Sequence, residues 1–360
     1  MTTMLIVLCV SALLAPLSSG FSPNLAWQHK SNTEAVERVS KQPTTTTTVS
    51  RSMGLFDGFV EQSPKVKAPD GFVAPEPQPL TLTESADLGD ILKSSAALAA
   101  RLGTGAFVLG WKVDDVFANE EEGKSSLGLG PVRLRDSSSV LANAPRPVKP
   151  LVLYEYDASP FCKKVRETIN LLDLTVEYRP CPGARAGFSD ELFERTGRRT
   201  VPYLIDPNTN TELFESTDQI DYLLRTYGPP EDMYDKLALW PITFDAFATT
   251  TSVMAALLRD MPGSRLQPDA RPDNQKMKPL QLWGYECSPF VRPVREKLCS
   301  LGLPHLMVSC SRGSANRDRM VELTGRFQVP YLEDPNTGVQ LFESPEIVDY
   351  LEKVYTITDE

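Results

Sequence analysis

Apolar and polar positions follow one order along this chain, and follow it twice. Leu151 to Tyr156 alternates with the period of a strand. A helical stretch opens at Ser159 and runs to about Leu172, and Val176–Arg179 reads as a second strand. A short helix then stops near Thr196-Gly197. Tyr203–Ile205 and Glu212–Phe214 form a hairpin around Asp206-Pro207-Asn208-Thr209, which is turn chemistry. A last helix spans Ser216 to Tyr227. From Lys278 to Tyr355 the same succession returns, with KPLQLWGYECSPFVRPVRE answering KPLVLYEYDASPFCKKVRE. The offset is 129 at Ser159 and Ser288 and 128 at Pro202 and Pro330, so one residue is lost in the loop between them.

A repeat of about 80 residues implies a duplicated domain, each copy with its own fold. A right-handed crossover between parallel strands followed by a hairpin gives a mixed four-stranded sheet flanked by helices. The predicted fold class is α/β: two tandem thioredoxin-like domains, 147–228 and 277–357, with a helical joint over 229–276. In that joint Leu237–Leu258 is apolar, but Pro241 and Asp245 interrupt it, which argues for a packed helix and against a membrane span.

Upstream, Leu82–Leu102 has helical spacing and ends at Gly103. Phe107–Val113 reads as one strand and 120–144 as loop, so 81–146 has no domain assignment beyond being partly helical. Residues 53–80 carry five prolines from Pro64 to Pro79 and read as an extended linker. Met4–Leu17 is an uncharged apolar run followed by Ser18, Ser19 and Gly20, so 1–20 reads as a signal peptide. Residues 21–52 follow with Phe21, many hydroxyl residues and a few basic ones, and resemble a transit peptide, against which Glu34 and Glu37 count. Such a two-part leader implies a plastid; the alternative is secretion.

Composition narrows the chemistry. Lys and Arg number 37 against 47 Asp and Glu, a net charge of −10, so nucleic acid and anionic membrane are poor partners. The two histidines, His29 and His305, offer too little for a metal site or a histidine triad. Of six cysteines Cys9 lies in the leader, and the five in the repeats share a single matched position, Cys181 with Cys310, which fits free thiols better than a shared disulfide framework.

Three motifs recur in both copies. Ser159-Pro160-Phe161-Cys162 and Ser288-Pro289-Phe290-Val291 stand at a helix start, where Ser caps and Pro is favoured. Val201-Pro202 and Val329-Pro330 precede a strand. Glu215-Ser216 and Glu343-Ser344 open the last helix. Capping explains the serines, but not a glutamate before each of them. With these motifs in this order, each repeat resembles the glutathione-binding N-terminal domain of glutathione transferases, a relative of glutaredoxin.

The resemblance implies roles. Ser159 and Ser288 would stabilise the glutathione thiolate at a helix N-terminus. Val201 and Val329 would offer backbone to the cysteinyl part, each before a cis Pro202 or Pro330. Glu215 and Glu343 would meet the γ-glutamyl ammonium, and Ser216 and Ser344 its carboxylate. Glutathione is then the ligand, with an unidentified electrophile or protein as second partner, no metal, and no membrane span in the mature chain. Transferase or glutathione-linked reductase is the leading activity. A non-catalytic binding or scaffold module is the alternative, since the helical domain that follows in full transferases has no room here. Thiol–disulfide exchange through Cys162 or Cys287 is a lesser one, because Ser159 and Ser288 stand where glutaredoxins carry the attacking cysteine. Lys163, Lys164, Arg166, Arg292 and Arg295 read as a solvated helix face. Pro293 reads as lying inside a helix, where it would cost a hydrogen bond.

Overall fold

The computed structural model describes residues 65–76, 85–117, 123–129 and 132–357. The signal and transit segments and parts of the 53–80 linker lie outside the described residues. Where that linker is described it is not free: Val66 is buried in the main core and the Phe72 ring lies 5.3 Å from that of Tyr350.

The first repeat runs β4 (Leu151–Glu155), α2 (Pro160–Leu171), β5 (Val176–Pro180), α3 (Ser189–Thr196), β6 (Tyr203–Asp206), β7 (Thr211–Leu213) and α4 (Ser216–Tyr227). The second runs β8 (Leu280–Gly284), α7 (Val291–Ser300), β9 (His305–Ser309), α8 (Asn316–Thr324), β10 (Tyr331–Asp334), β11 (Val339–Phe342) and α9 (Ser344–Tyr355). Strand order and type follow the sequence reading within each copy: β4 is parallel to β5 and antiparallel to β6, and β8 is parallel to β9 and antiparallel to β10. The repeated Asp-Pro-Asn turn has a structural cause. Asp206 accepts hydrogen bonds from Tyr222 and Tyr227, and Asp334 from Tyr350 and Tyr355, which ties each hairpin to the last helix.

The two sheets are not separate. β5 pairs with β9 antiparallel, giving one eight-stranded sheet ordered β11-β10-β8-β9-β5-β4-β6-β7. Glu177 faces Leu306, its own counterpart, so a local two-fold axis passes through that pair. On one face a single apolar core joins Val165, Ile169 and Leu223 to Val294, Leu298 and Leu351. On the other face each copy keeps its own cluster, around Tyr154 and Leu192 or Trp283 and Met320.

Here the helix-face reading of the basic residues is corrected. Lys163, Lys164, Arg166, Arg292 and Arg295 are all buried: Lys163, Arg166 and Arg295 reach acids in the loop of the opposite repeat, and Lys164 pairs with Asp245 at 2.7 Å. Arg166 contacts Asp157 of its own repeat at 3.0 Å and Glu286 of the other at 3.0 Å. Arg295 contacts Asp157 at 3.1 Å and also Glu286. Asp157 and Glu286 are counterparts, as are Arg166 and Arg295, so the four close a symmetric ring. Glu155 and Lys163 add to it. Burial works against the charged form of Glu286, but Arg166, Arg295 and Lys163 outweigh it and hold its carboxyl well below the usual range. Glu155, where burial dominates, is pushed the other way.

The repeat also begins earlier than the sequence reading placed it. α1 (Ser85–Ala100) precedes the first copy; a short α5 (Trp240–Thr243) and α6 (Asp245–Leu257) precede the second. Arg101 after α1 pairs with Glu167 of α2, and Arg259 after α6 pairs with Glu296 of α7. Both helices close alike, with Gly103 N–H donating to Leu98 and Met261 N–H to Ala256. The backbone then returns at Gly105 and Gly263. Gly263 has φ +65°, and a β-carbon there would lie 2.5 Å from Cys299 Sγ, so no side chain fits. The "joint" helix is thus the second copy of the helix before the first. Offsets of 158 at these helices and 129 at the strands leave 29 extra residues in the first copy.

That insertion carries a three-stranded sheet, β1 (Trp111–Asp115), β2 (Leu127–Leu129) and β3 (Val132–Ser138), ordered β1-β3-β2. It corrects the loop predicted over 120–144 and shifts the strand predicted over Phe107–Val113 to Trp111–Asp115. β1 is exposed throughout, so it carries no alternation of buried and exposed positions to be read. Pro293 also needs correction: α7 starts at Val291, so the proline sits in the first turn and costs no internal bond.

Two predictions follow from the interface. Glu286→Gln leaves three buried cations short of an anion and is expected to cost about 3–5 kcal/mol in urea unfolding. His305 is also buried there, edge-on to Tyr178 and near Arg295, Asp157 and Arg166, and burial lowers its pKa to about 4. The unfolded chain takes up this proton below its ordinary value of 6.5 and the folded chain does not. Stability is therefore complete above about pH 6.5 and falls toward pH 4, by up to about 3 kcal/mol. His305→Val, which installs the residue found at Val176, should remove that increment; equal acid sensitivity in both proteins would refute the assignment.

Candidate functional site

In the first repeat Ser159 caps α2, its Oγ accepting the Cys162 N–H at 3.3 Å. Ser288 does the same for Val291 N–H at 3.3 Å. Both serines are buried, at 3% and 0% exposure. Tyr156 and Tyr285, three residues earlier, each place a phenol against the serine hydroxyl. The sequence reading passed over both tyrosines; the Tyr recurring at the same distance before Ser in the two copies was the signal.

Val201–Pro202 and Val329–Pro330 are both cis. The Pro202 carbonyl accepts a hydrogen bond from Gln219 of α4 at 2.9 Å, so the cis turn and the last helix are tied together. Ser216 and Ser344 are the first helical residues, and Glu215 and Glu343 take the capping position with φ +55° and +69°. That region is rarely open to a residue with a β-carbon and costs about 1–3 kcal/mol. Both copies hold a glutamate in it.

The two third motifs then part ways. Glu343 accepts a hydrogen bond from Gln328, and Ser344 Oγ donates to the Phe290 carbonyl at 2.5 Å. Thr200 replaces Gln328 in the first copy. Glu215 is exposed there, and neither its carboxylate nor the Ser216 hydroxyl has a hydrogen-bond partner among the described residues. The first repeat therefore presents an unengaged carboxylate and hydroxyl at a helix start, next to the cis turn. The second spends the same groups on itself.

Cys162, Cys181, Cys287, Cys299 and Cys310 are buried and free. Burial pushes the Cys162 and Cys287 thiols up to about 12, so neither is a thiolate at neutral pH.

The strand order, the cis turn and the helix starts define thioredoxin-like domains. Residues 153–231 and 282–356 each match the glutathione S-transferase N-terminal domain, and the chain carries two copies of that domain in tandem. Among solved structures, a glutathione transferase of the silkworm Bombyx mori is 26% identical over 26% of this chain and 42% of its own, with a TM-score of 0.22. An epsilon-class glutathione S-transferase of the housefly Musca domestica is 28% identical over 27% and 44%, with a TM-score of 0.21. The chain thus spans less than half the length of either. No curated protein matches it significantly. Among the described residues no helix is long and apolar enough to cross a membrane.

In the native protein Cys162, Cys181, Cys287, Cys299 and Cys310 are expected to resist a maleimide, and to react together on unfolding. Rapid labelling of Cys162 or Cys287 in native protein, read by mass spectrometry, would restore the thiol-exchange reading.

Proposed function

We propose that the first repeat binds glutathione, and that the unengaged Glu215–Ser216 pair beside cis Val201–Pro202 is what supports this. A γ-glutamyl group brings an ammonium and a carboxylate on one carbon. Glu215 suits the first, and the Ser216 hydroxyl with the free N–H groups of α4 suits the second. The strained backbone at Glu215 aims the carboxylate before any ligand arrives, which lowers the ordering cost of binding. The backbone of Val201, before the cis bond to Pro202, offers the cysteinyl portion its polar groups. The thiol then lies toward the start of α2, where the helix dipole and the Ser159–Tyr156 pair favour an anion.

Transferase or glutathione-linked reductase chemistry is the activity such a site supports, with the electrophile unidentified. A second reading, glutathione binding without turnover, is favoured by one observation: Ser159 is buried and already accepts the Cys162 N–H.

Calorimetric titration of glutathione into the full chain tests the proposal. Binding of about −8 to −4 kcal/mol is expected, lost in Glu215→Ala and retained in Glu343→Ala. No heat at about 10 mM glutathione would overturn it. Turnover of a generic electrophile that disappears in Ser159→Ala with binding intact identifies a transferase. Binding without turnover identifies the second reading.

A further inference from the structure

The second repeat holds a buried cation that has no carboxylate partner among the described residues. Arg317, near the start of α8, is 5% exposed. Its guanidinium lies 3.8 Å from the centre of the Phe327 ring, on the loop leading to cis Val329–Pro330. Tyr285, from the loop before Ser288, is close enough to act on its charge. Arg317 therefore sits between the first-motif loop and the cis-proline loop of the second repeat.

No carboxylate lies at ion-pair distance from it among the described residues. Nη1 reaches the Cys310 carbonyl only at 3.5 Å, and Nε is buried without a partner. The acid that acts on it, Asp136, is occupied by Arg312 Nε at 2.8 Å and Trp111 Nε1 at 2.8 Å. Arg312 itself repels Arg317. Equally buried Arg101, Arg166 and Arg295 all rest on carboxylates. Arg292, also without an ion pair, shares the field of Glu296. Burial and Arg312 together depress the Arg317 pKa to about 10, which marks a charge held at a cost. The first repeat has nothing similar: its counterpart is Ser189, satisfied by the Ala186 carbonyl at 2.7 Å.

With Nη1 turned to Cys310, the Nε edge of the guanidinium is left facing no acceptor. That edge is a two-donor fork matched to two oxygens of one oxyanion. One flat face is covered by Phe327, and the N–H groups of the fork point in the plane, so an acceptor must approach in that plane.

We propose that the second repeat is an oxyanion site, in which Arg317 grips a carboxylate or phosphate group between Tyr285 and Phe327. The two repeats then divide their labour. The first keeps the groups that recognise an amino acid end, and the second has closed those groups on each other and gained a buried guanidinium.

The test is thermal unfolding of the full chain in phosphate or in acetate, against chloride at equal ionic strength. About 20 mM of the preferred oxyanion should raise the melting temperature by about 3 °C, the shift that roughly millimolar affinity gives. A response to phosphate alone, or to acetate alone, identifies the ligand class. Arg317→Met should abolish the response and, without ligand, melt no lower than the wild type, since it removes an unpaired charge. Arg317→Lys keeps the charge, loses the fork, and should bind at least tenfold more weakly, which keeps the test open should the methionine variant fail to fold. Glu215→Ala should respond like the wild type, so a failure of the glutathione reading leaves this one standing. No response to either oxyanion, or a response that survives in Arg317→Met, overturns it.

Discussion

Arg166 and Arg295 share the same two buried carboxylates, Asp157 and Glu286, and Arg166 holds Glu155 as well. Desolvating four charges is expensive, and it is tolerated because each cation sees an anion from its own repeat and one from the other. The ring lies where α2 and α7 meet, over the β5–β9 pair that merges two four-stranded sheets. It makes the halves interdependent in a way an apolar seam would not. Removing one member strands a charge contributed by the other half.

The ring also reaches the candidate sites. Asp157 and Glu286 stand two residues before Ser159 and Ser288, so the loop that opens each first helix is held by an arginine from the opposite repeat. The helices α1 and α6 reinforce this. Each ends on an arginine bound to a glutamate of the helix it covers, and each then turns at a glycine packed against the ring-bearing loops. Their geometry explains why both serines are buried, and why the cysteines near them are inert thiols.

Within so symmetric a frame, the differences between copies are the informative positions. Thr200 against Gln328 decides whether the following glutamate is open or occupied. Ser189 against Arg317 decides whether a buried position is neutral or cationic. Both changes lie outside the three shared motifs: Thr200 and Gln328 directly precede the cis Val-Pro pair, and Ser189 and Arg317 lie at the start of α3 and α8. Likeness in the motifs preserves the fold. Unlikeness around them sets what each copy can hold.

The strands, helices, turns and cis-proline positions of each repeat were legible in the sequence, because local rules write them: period-two and helical patterns, capping serines, Asp-Pro-Asn turns. Domain identity followed from the order of three motifs. What the sequence could not disclose was anything that depends on a second surface. Lys163, Arg166, Arg292 and Arg295 have the spacing of a solvated helix face, and only the packing of one repeat on the other makes that face interior. The β1–β3 sheet has too little burial to leave an alternating pattern. The α1–α6 kinship is hidden by a change of offset. Whether Glu215 and Glu343 are open or engaged turns on a neighbour 15 residues away. Sequence determined each fold unit because its information is local; tertiary structure decided charge burial and which motif side chains are engaged, because those belong to pairs of distant residues.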